Sequence, residues 1–98
     1  MGYKKIIVQK QVANSIAGIA WYIESKGMLK TADIFCDAVY DYIFELGNEN
    51  RSYPFCRESK RKMAGLKCAQ FKKKYTIAFK EYETKIIIVE FIPSKLIY

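Results

Sequence analysis

Histidine is absent from this 98-residue chain. That removes the commonest general base, the commonest metal ligand and every His-dependent triad. Any proton transfer or anion handling must rest on lysine, arginine, tyrosine or carboxylates. Cysteine is scarce and odd in number. Cys36, Cys56 and Cys68 show no Cys-x-x-Cys spacing, so neither a disulfide framework nor a zinc site is indicated, and free, mostly buried thiols are expected. No apolar run approaches the ~18 residues that suggest a membrane span. The N-terminus passes into a strand-like segment with no signal-peptide apolar region, and Ile6 stands where a myristoylation motif needs Ser or Thr. The expectation is a cytoplasmic protein with no membrane segment, no metal and no small-molecule cofactor.

What the chain does have is apolar residues and positive charge. Hydrophobic residues make up 51% of it, too many for a disordered tail, and the length suits a single domain over residues 1–98. The net charge of +7 is unevenly spread. Residues 1–50 carry five lysines against six acids, whereas residues 51–98 carry twelve Lys or Arg against four Glu. A field of that kind on one half of a small domain favours an acidic or polyanionic partner.

Residues 4–8 are β-branched and short, and predict a strand. Val12, Ile16, Ile19, Ala20 and Ile23 then recur at helical spacing, and Lys26-Gly27 supplies the stop. A second stripe, Phe35, Val39, Tyr42, Ile43 and Leu46, ends at Gly47-Asn48. Asp33, Asp37, Asp41 and Glu45 repeat every four residues on another face, which reads as a solvated acidic edge. The short link at 27–30 makes the two helices an antiparallel hairpin. Residues 48–65 lose periodicity, with room for a helical turn in the charged stretch 57–63. Strands are expected at 66–71, 75–79 and 85–92, the first two joined by the basic turn Lys72-Lys73-Lys74. Ile86-Ile87-Ile88-Val89 is apolar on both sides, as an interior strand requires. In the middle strand Tyr75, Ile77 and Phe79 alternate with Thr76, Ala78 and Lys80, giving one buried and one more open face. Pro93 ends the last strand.

The predicted class is therefore α+β, in the order β-α-α-β-β-β: a mainly antiparallel sheet packed on the helical hairpin. Trp21, Phe35, Val39, Ile43, Ile77 and Ile88 are expected inside. The uncovered face of the sheet, with its basic loops, is the face expected to carry function.

Several segments together resemble the RelE/ParE superfamily of bacterial toxins, in its ParE-like branch. Ile16-Ala17-Gly18-Ile19-Ala20-Trp21-Tyr22-Ile23 resembles the first helix of that branch, and Ala32-Asp33-Ile34-Phe35-Cys36-Asp37-Ala38-Val39 resembles the second. The Ile- and Val-rich strand followed by Lys95 resembles its closing strand and basic tail. The likeness covers nearly the whole chain. It implies the toxin of a type II toxin–antitoxin, or plasmid stabilisation, module. Such a protein is neutralised by a cognate antitoxin and inhibits growth through DNA gyrase or through translation.

The resemblance also bears on residues. In ribosome-dependent RelE-type mRNA endonucleases, Lys and Arg on the meander strands act with an Arg and a Tyr near the C-terminus. Here Lys67, Lys95 and Tyr98 match part of that set, while Thr76 stands where such a nuclease would resemble an Arg. Lysine gives a point charge but no bidentate fork on a phosphate. Lys67 and Lys95 flank segments that a meander can set side by side, so the expectation is that both converge on one phosphate. Arg57, Arg61, Lys72, Lys73 and Lys74 are the candidate target- or nucleic-acid-binding residues. A third reading is a non-toxic nucleic-acid-binding module, in which the lysine turn would supply charge, with Phe71 and Tyr75 as stacking surfaces.

Overall fold

The computed structural model describes residues 2–96. Strand β1 (Lys5–Val8) leads into α1 (Lys10–Ser25), whose stripe buries Val12, Ile16 and Ala20. The helix ends where Gly27 takes a left-handed conformation (φ +82) and donates its N–H to the Glu24 carbonyl at 2.8 Å. Helix α2 (Leu29–Glu45) returns antiparallel and buries Ala32, Val39 and Ile43. Its exit depends on Gly47, whose carbonyl accepts the Lys4 N–H at 2.8 Å. A Cβ on Gly47 would lie 2.8 Å from the Lys4 carbonyl oxygen, so only glycine allows α2 and the start of β1 to meet this closely. None of the helices in the described residues is long and apolar enough to cross a membrane.

A short helix α3 (Ser59–Met63) precedes the meander of β2 (Lys67–Phe71), β3 (Tyr75–Glu81) and β4 (Lys85–Pro93), and a 3₁₀ turn, Ser94–Leu96, follows it. The sheet order is β1-β4-β3-β2. The meander pairs are antiparallel, but β1 runs parallel to β4, from Lys5 opposite Lys85 to Val8 opposite Ile88. The isoleucine-rich strand is interior, as its composition predicts. Ala78 faces Glu90 while Phe79 faces Ile88, so Val89 is an extra residue in β4. This bulge reverses the alternation and lets Ile86, Ile88 and Phe91 all enter the core.

The main core lies between the hairpin and the sheet. Val12, Ile16, Val39, Ile43 and Leu46 meet Ala69, Phe71, Ile77, Phe79, Ile86, Ile88 and Phe91 there. Each large side chain buried contributes roughly 1.5–3 kcal/mol. Phe35 is half-buried, its ring edge-on to Phe71, Tyr75 and Phe91 with centroids 5.8–6.4 Å away.

Three expectations are corrected. Trp21 is 69% exposed, not in the core. It follows Ala20 by about 100° of helix and lies opposite the Val12–Ile16–Ile23 stripe, so its bulk, not its phase, suggested burial. Cys56 and Cys68 are not free thiols: they form a disulfide, with Cα atoms 4.9 Å apart, and only Cys36 is free. The cause is local pairing. Phe55 bridges Lys67, Cys56 N–H donates to the Leu66 carbonyl and Cys68 N–H to the Pro54 carbonyl, which brings the two cysteines side by side. Finally, the second sheet face is not open at its centre. Thr76 and Ala78 are fully buried, and Cys56, Cys68 and Ala78 form a small second core with Leu66 against them.

Candidate target-binding surface

The cations of the basic half divide into those the fold consumes and those it leaves over. Lys67 belongs to the first group. Its Nζ donates to Glu81 Oε1 at 2.8 Å, while Lys4 Nζ donates to Glu81 Oε2 at 2.7 Å. The two lysine hydrogen bonds hold the Glu81 carboxyl below the usual carboxylate range, against the opposing effect of its partial burial. Arg61 is consumed as well. It grips Glu90 with Nε and Nη2 and reaches Glu58 Oε1 with Nη1 at 3.0 Å. Hydrogen bonding to Glu90 raises its already high pKa further. Glu58 caps α3 by accepting the Lys60 and Arg61 backbone N–H groups, and those bonds lower its pKa.

Four of the cations left over, Lys72, Lys73, Lys74 and Lys95, gather at the opposite end of the meander, while Arg57, Lys60, Lys62, Lys80 and Lys85 are spread over the rest of the basic half. Phe71 and Lys74 close the β2–β3 turn, Lys74 N–H donating to the Phe71 carbonyl at 3.1 Å. Lys72 and Lys73 occupy its centre with φ of 52° and 61°. Positive φ at both central positions is what a primed hairpin turn requires, and Asn-Gly normally supplies it. Lysine there costs about 1 kcal/mol or more per residue.

Lys73, Lys74 and Lys95 line one cavity of about 420 Å³ together with Tyr75, Pro93 and Ser94. Among the described residues none of these three lysines has an ion-pair partner. Lys72 does not line the cavity, and its ammonium lies 5.5 Å from the Phe71 ring centre. The C-terminal turn is tied in place at Ser94, whose N–H donates to the Lys74 carbonyl at 2.8 Å and whose hydroxyl shares a 2.9 Å hydrogen bond with that of Thr76. A second groove of about 440 Å³ shares Tyr75 and Pro93 and continues along α1 past Ile19, Gly18 and Tyr22, with Phe91 and Ile92 also lining it. The surface is thus cationic on one side of Tyr75–Pro93 and largely apolar on the other.

The structure does not bring Lys67 and Lys95 together. Lys67 pairs with Phe79, whereas Pro93, just before the tail, pairs with Tyr75. Four residue steps of β3, from Tyr75 to Phe79, separate those rungs, roughly 13 Å along the strand. Arg57 lines another cavity, with Tyr53, Pro54 and Phe55 at the outer side of β2. Tyr98 lies outside the described residues. The stacking surface expected beside the lysine turn is not free: Phe71 is buried, and the Tyr75 ring stacks on Phe91 with centroids 5.0 Å apart. Thr76, at the position where a nuclease would resemble an Arg, is buried and holds Ser94. The pKa shifts prepare no nucleophile. Burial, with Asp33, Asp37 and Glu24 nearby, pushes the Cys36 thiol up, and burial does the same to Tyr42.

Sequence reasoning found the lysines of this surface but missed Ser94, Thr76 and the apolar groove beside Gly18. Alternation along β3 places Thr76 on the more open face, so no local signal marks it; its burial comes from the second small core around Cys56, Cys68 and Ala78. No protein-family model matches this chain, and neither does any curated protein.

Proposed function

We propose that this protein is a growth-inhibiting toxin of the RelE/ParE kind that acts by binding its target, and that it is neutralised by a cognate antitoxin. Its target is a component of the replication or translation machinery, DNA gyrase or the ribosome with its mRNA. The contact surface is the Lys72–Lys74 turn with the cavity shared by Lys73, Lys74 and Lys95. The observation that carries this reading is the division of the cations. Lys67, the strand cation that RNA cleavage would draw upon, is engaged by Glu81, and Arg61, a candidate target contact, by Glu58 and Glu90, while among the described residues Lys73, Lys74 and Lys95 have no ion-pair partner.

Binding therefore takes precedence over mRNA cleavage. Phosphoryl chemistry needs oriented cations around one phosphate, and Lys67 and Lys95 stand at opposite ends of the meander. A non-toxic nucleic-acid module is also less favoured, because Phe71 is buried and Tyr75 is stacked on Phe91. The test is induced expression in a bacterial host, alone and beside each neighbouring gene, with growth and transcript integrity followed together. Growth arrest with intact transcripts, relieved by a small neighbouring gene, is the expected result. Arrest accompanied by rapid transcript cleavage would replace this reading with a nuclease, and growth without arrest would remove the toxin altogether.

A further inference from the structure

We infer that Thr76 is the positioning residue that assembles the cationic surface, by fixing the C-terminal turn so that Lys95 stands at the same cavity as Lys73 and Lys74. The inference rests on the proposed role of that surface and adds how it is built.

Thr76 is the single buried polar or charged side chain of the described residues, with no exposed surface at all. Valine has nearly the same shape and suits a strand interior at least as well, so packing alone gives no reason for a hydroxyl here. The hydroxyl is paired with Ser94 Oγ at 2.9 Å. Ser94 in turn donates its N–H to the Lys74 carbonyl at 2.8 Å. The first residue after β4 is therefore fastened twice, once to the body of β3 and once to the basic turn. Pro93 sits just before it and fixes the approach, since its ring locks φ.

The consequence is electrostatic. Three ammonium groups around one cavity repel one another, and a turn free to move would carry the exposed Lys95 away from Lys73 and Lys74. The Thr76–Ser94–Lys74 chain of contacts holds the tail against that repulsion. Like charges held together at a cost to the free protein are recovered when a multivalent anionic surface docks, because the cations are then already in place. Lys95 thus acts through its own charge, whereas Thr76 acts through Ser94 and touches nothing outside the protein.

The experiment is an NMR titration of the full chain with inorganic tripolyphosphate as the anionic probe, followed by induction of the same variants in a bacterial host. Thr76→Val should weaken probe binding about fivefold, the size of one ordinary hydrogen bond. Thr76→Ser should restore it. Ser94→Ala should match Thr76→Val, and the double variant should be no weaker than either single one. Thr76→Val should lower the thermal midpoint by no more than several degrees, the loss of one hydrogen bond, and Ser94→Ala gives the same readout from a less buried position if Thr76→Val folds poorly. Unchanged probe affinity in both Thr76→Val and Ser94→Ala overturns the inference and leaves the proposed function standing. Weakened probe binding with undiminished growth arrest keeps the inference and removes the target-binding role of this surface. Failure of the wild type to bind the probe, with no shifts at Lys73, Lys74 or Lys95, overturns both.

Discussion

Arg61 holds Glu90 by two parallel hydrogen bonds, Nε to Oε1 at 2.5 Å and Nη2 to Oε2 at 2.8 Å, and so ties α3 to the interior strand β4. The pair joins residues 29 apart and sits where the β4 bulge turns Glu90 towards Arg61. The side chains are 23% and 33% exposed, so solvent screens part of the attraction. Arg61→Ala should lower stability by about 1–2 kcal/mol, read as a shift in the urea midpoint. An unshifted midpoint would mean that α3 contributes nothing to the fold.

Glu81 makes a pH-dependent contribution. Its pKa is lowered in the folded protein by the hydrogen bonds from Lys4 and Lys67. The unfolded state binds the proton more tightly, so this contribution is fully present above the unfolded value of about 4.3 and is lost as pH falls through the lower folded value. Glu81→Gln should therefore be less stable than the wild type at neutral pH, by on the order of 1 kcal/mol. The two should converge in acid. A difference that persisted unchanged to low pH would show that the carboxylate charge is not what matters.

The disulfide fastens the loop before α3 to β2 across a separation of 12 residues. Closing a loop of that size restricts the unfolded chain and is worth about 3 kcal/mol. Cys56→Ser with Cys68→Ser, or a thiol reductant on the wild type, should lower the unfolding free energy by roughly 2–3 kcal/mol. Mass spectrometry after alkylation should find one reactive thiol, Cys36, in the unreduced protein. Three alkylated cysteines without reductant would contradict the bond.

Trp21 is the only tryptophan and is largely exposed. Its fluorescence should resemble that of tryptophan in water and be readily quenched by a soluble quencher. Trp21→Ala should change stability by less than about 0.5 kcal/mol. A blue-shifted, protected emission would place the residue in an interface or a core.

These residues also show what was legible in the sequence. The stripes Val12–Ile16–Ala20 and Val39–Ile43–Leu46 encode their helix faces through spacing, and Ile86 to Val89 encodes an interior strand through apolarity on both sides. Trp21 is large and apolar but stands about 180° around α1 from Val12, so helical phase and not side-chain size decides its exposure. The Cys56–Cys68 bond was invisible because it depends on Phe55 meeting Lys67, a contact set by tertiary pairing rather than by local pattern. The same holds for the parallel edge strand, since neither residues 5–8 nor 85–88 carry a signal for direction. The basic turn was visible as three lysines. Which other cation joins it was not, because strand register moved Lys67 to the far end and the Thr76–Ser94 contact brought Lys95 near.

The proposed inhibition of growth would act through the cationic surface formed by the turn and the tail. Induced expression of three chains in a bacterial host tests it most directly: the wild type, the triple variant Lys73→Ala, Lys74→Ala, Lys95→Ala, and the single variant Lys67→Ala, each at matched protein level and with folding checked by thermal melting. The wild type and Lys67→Ala should arrest growth, whereas the triple variant should not. Arrest by the triple variant at the wild-type rate, or loss of arrest in Lys67→Ala alone, would contradict the proposal.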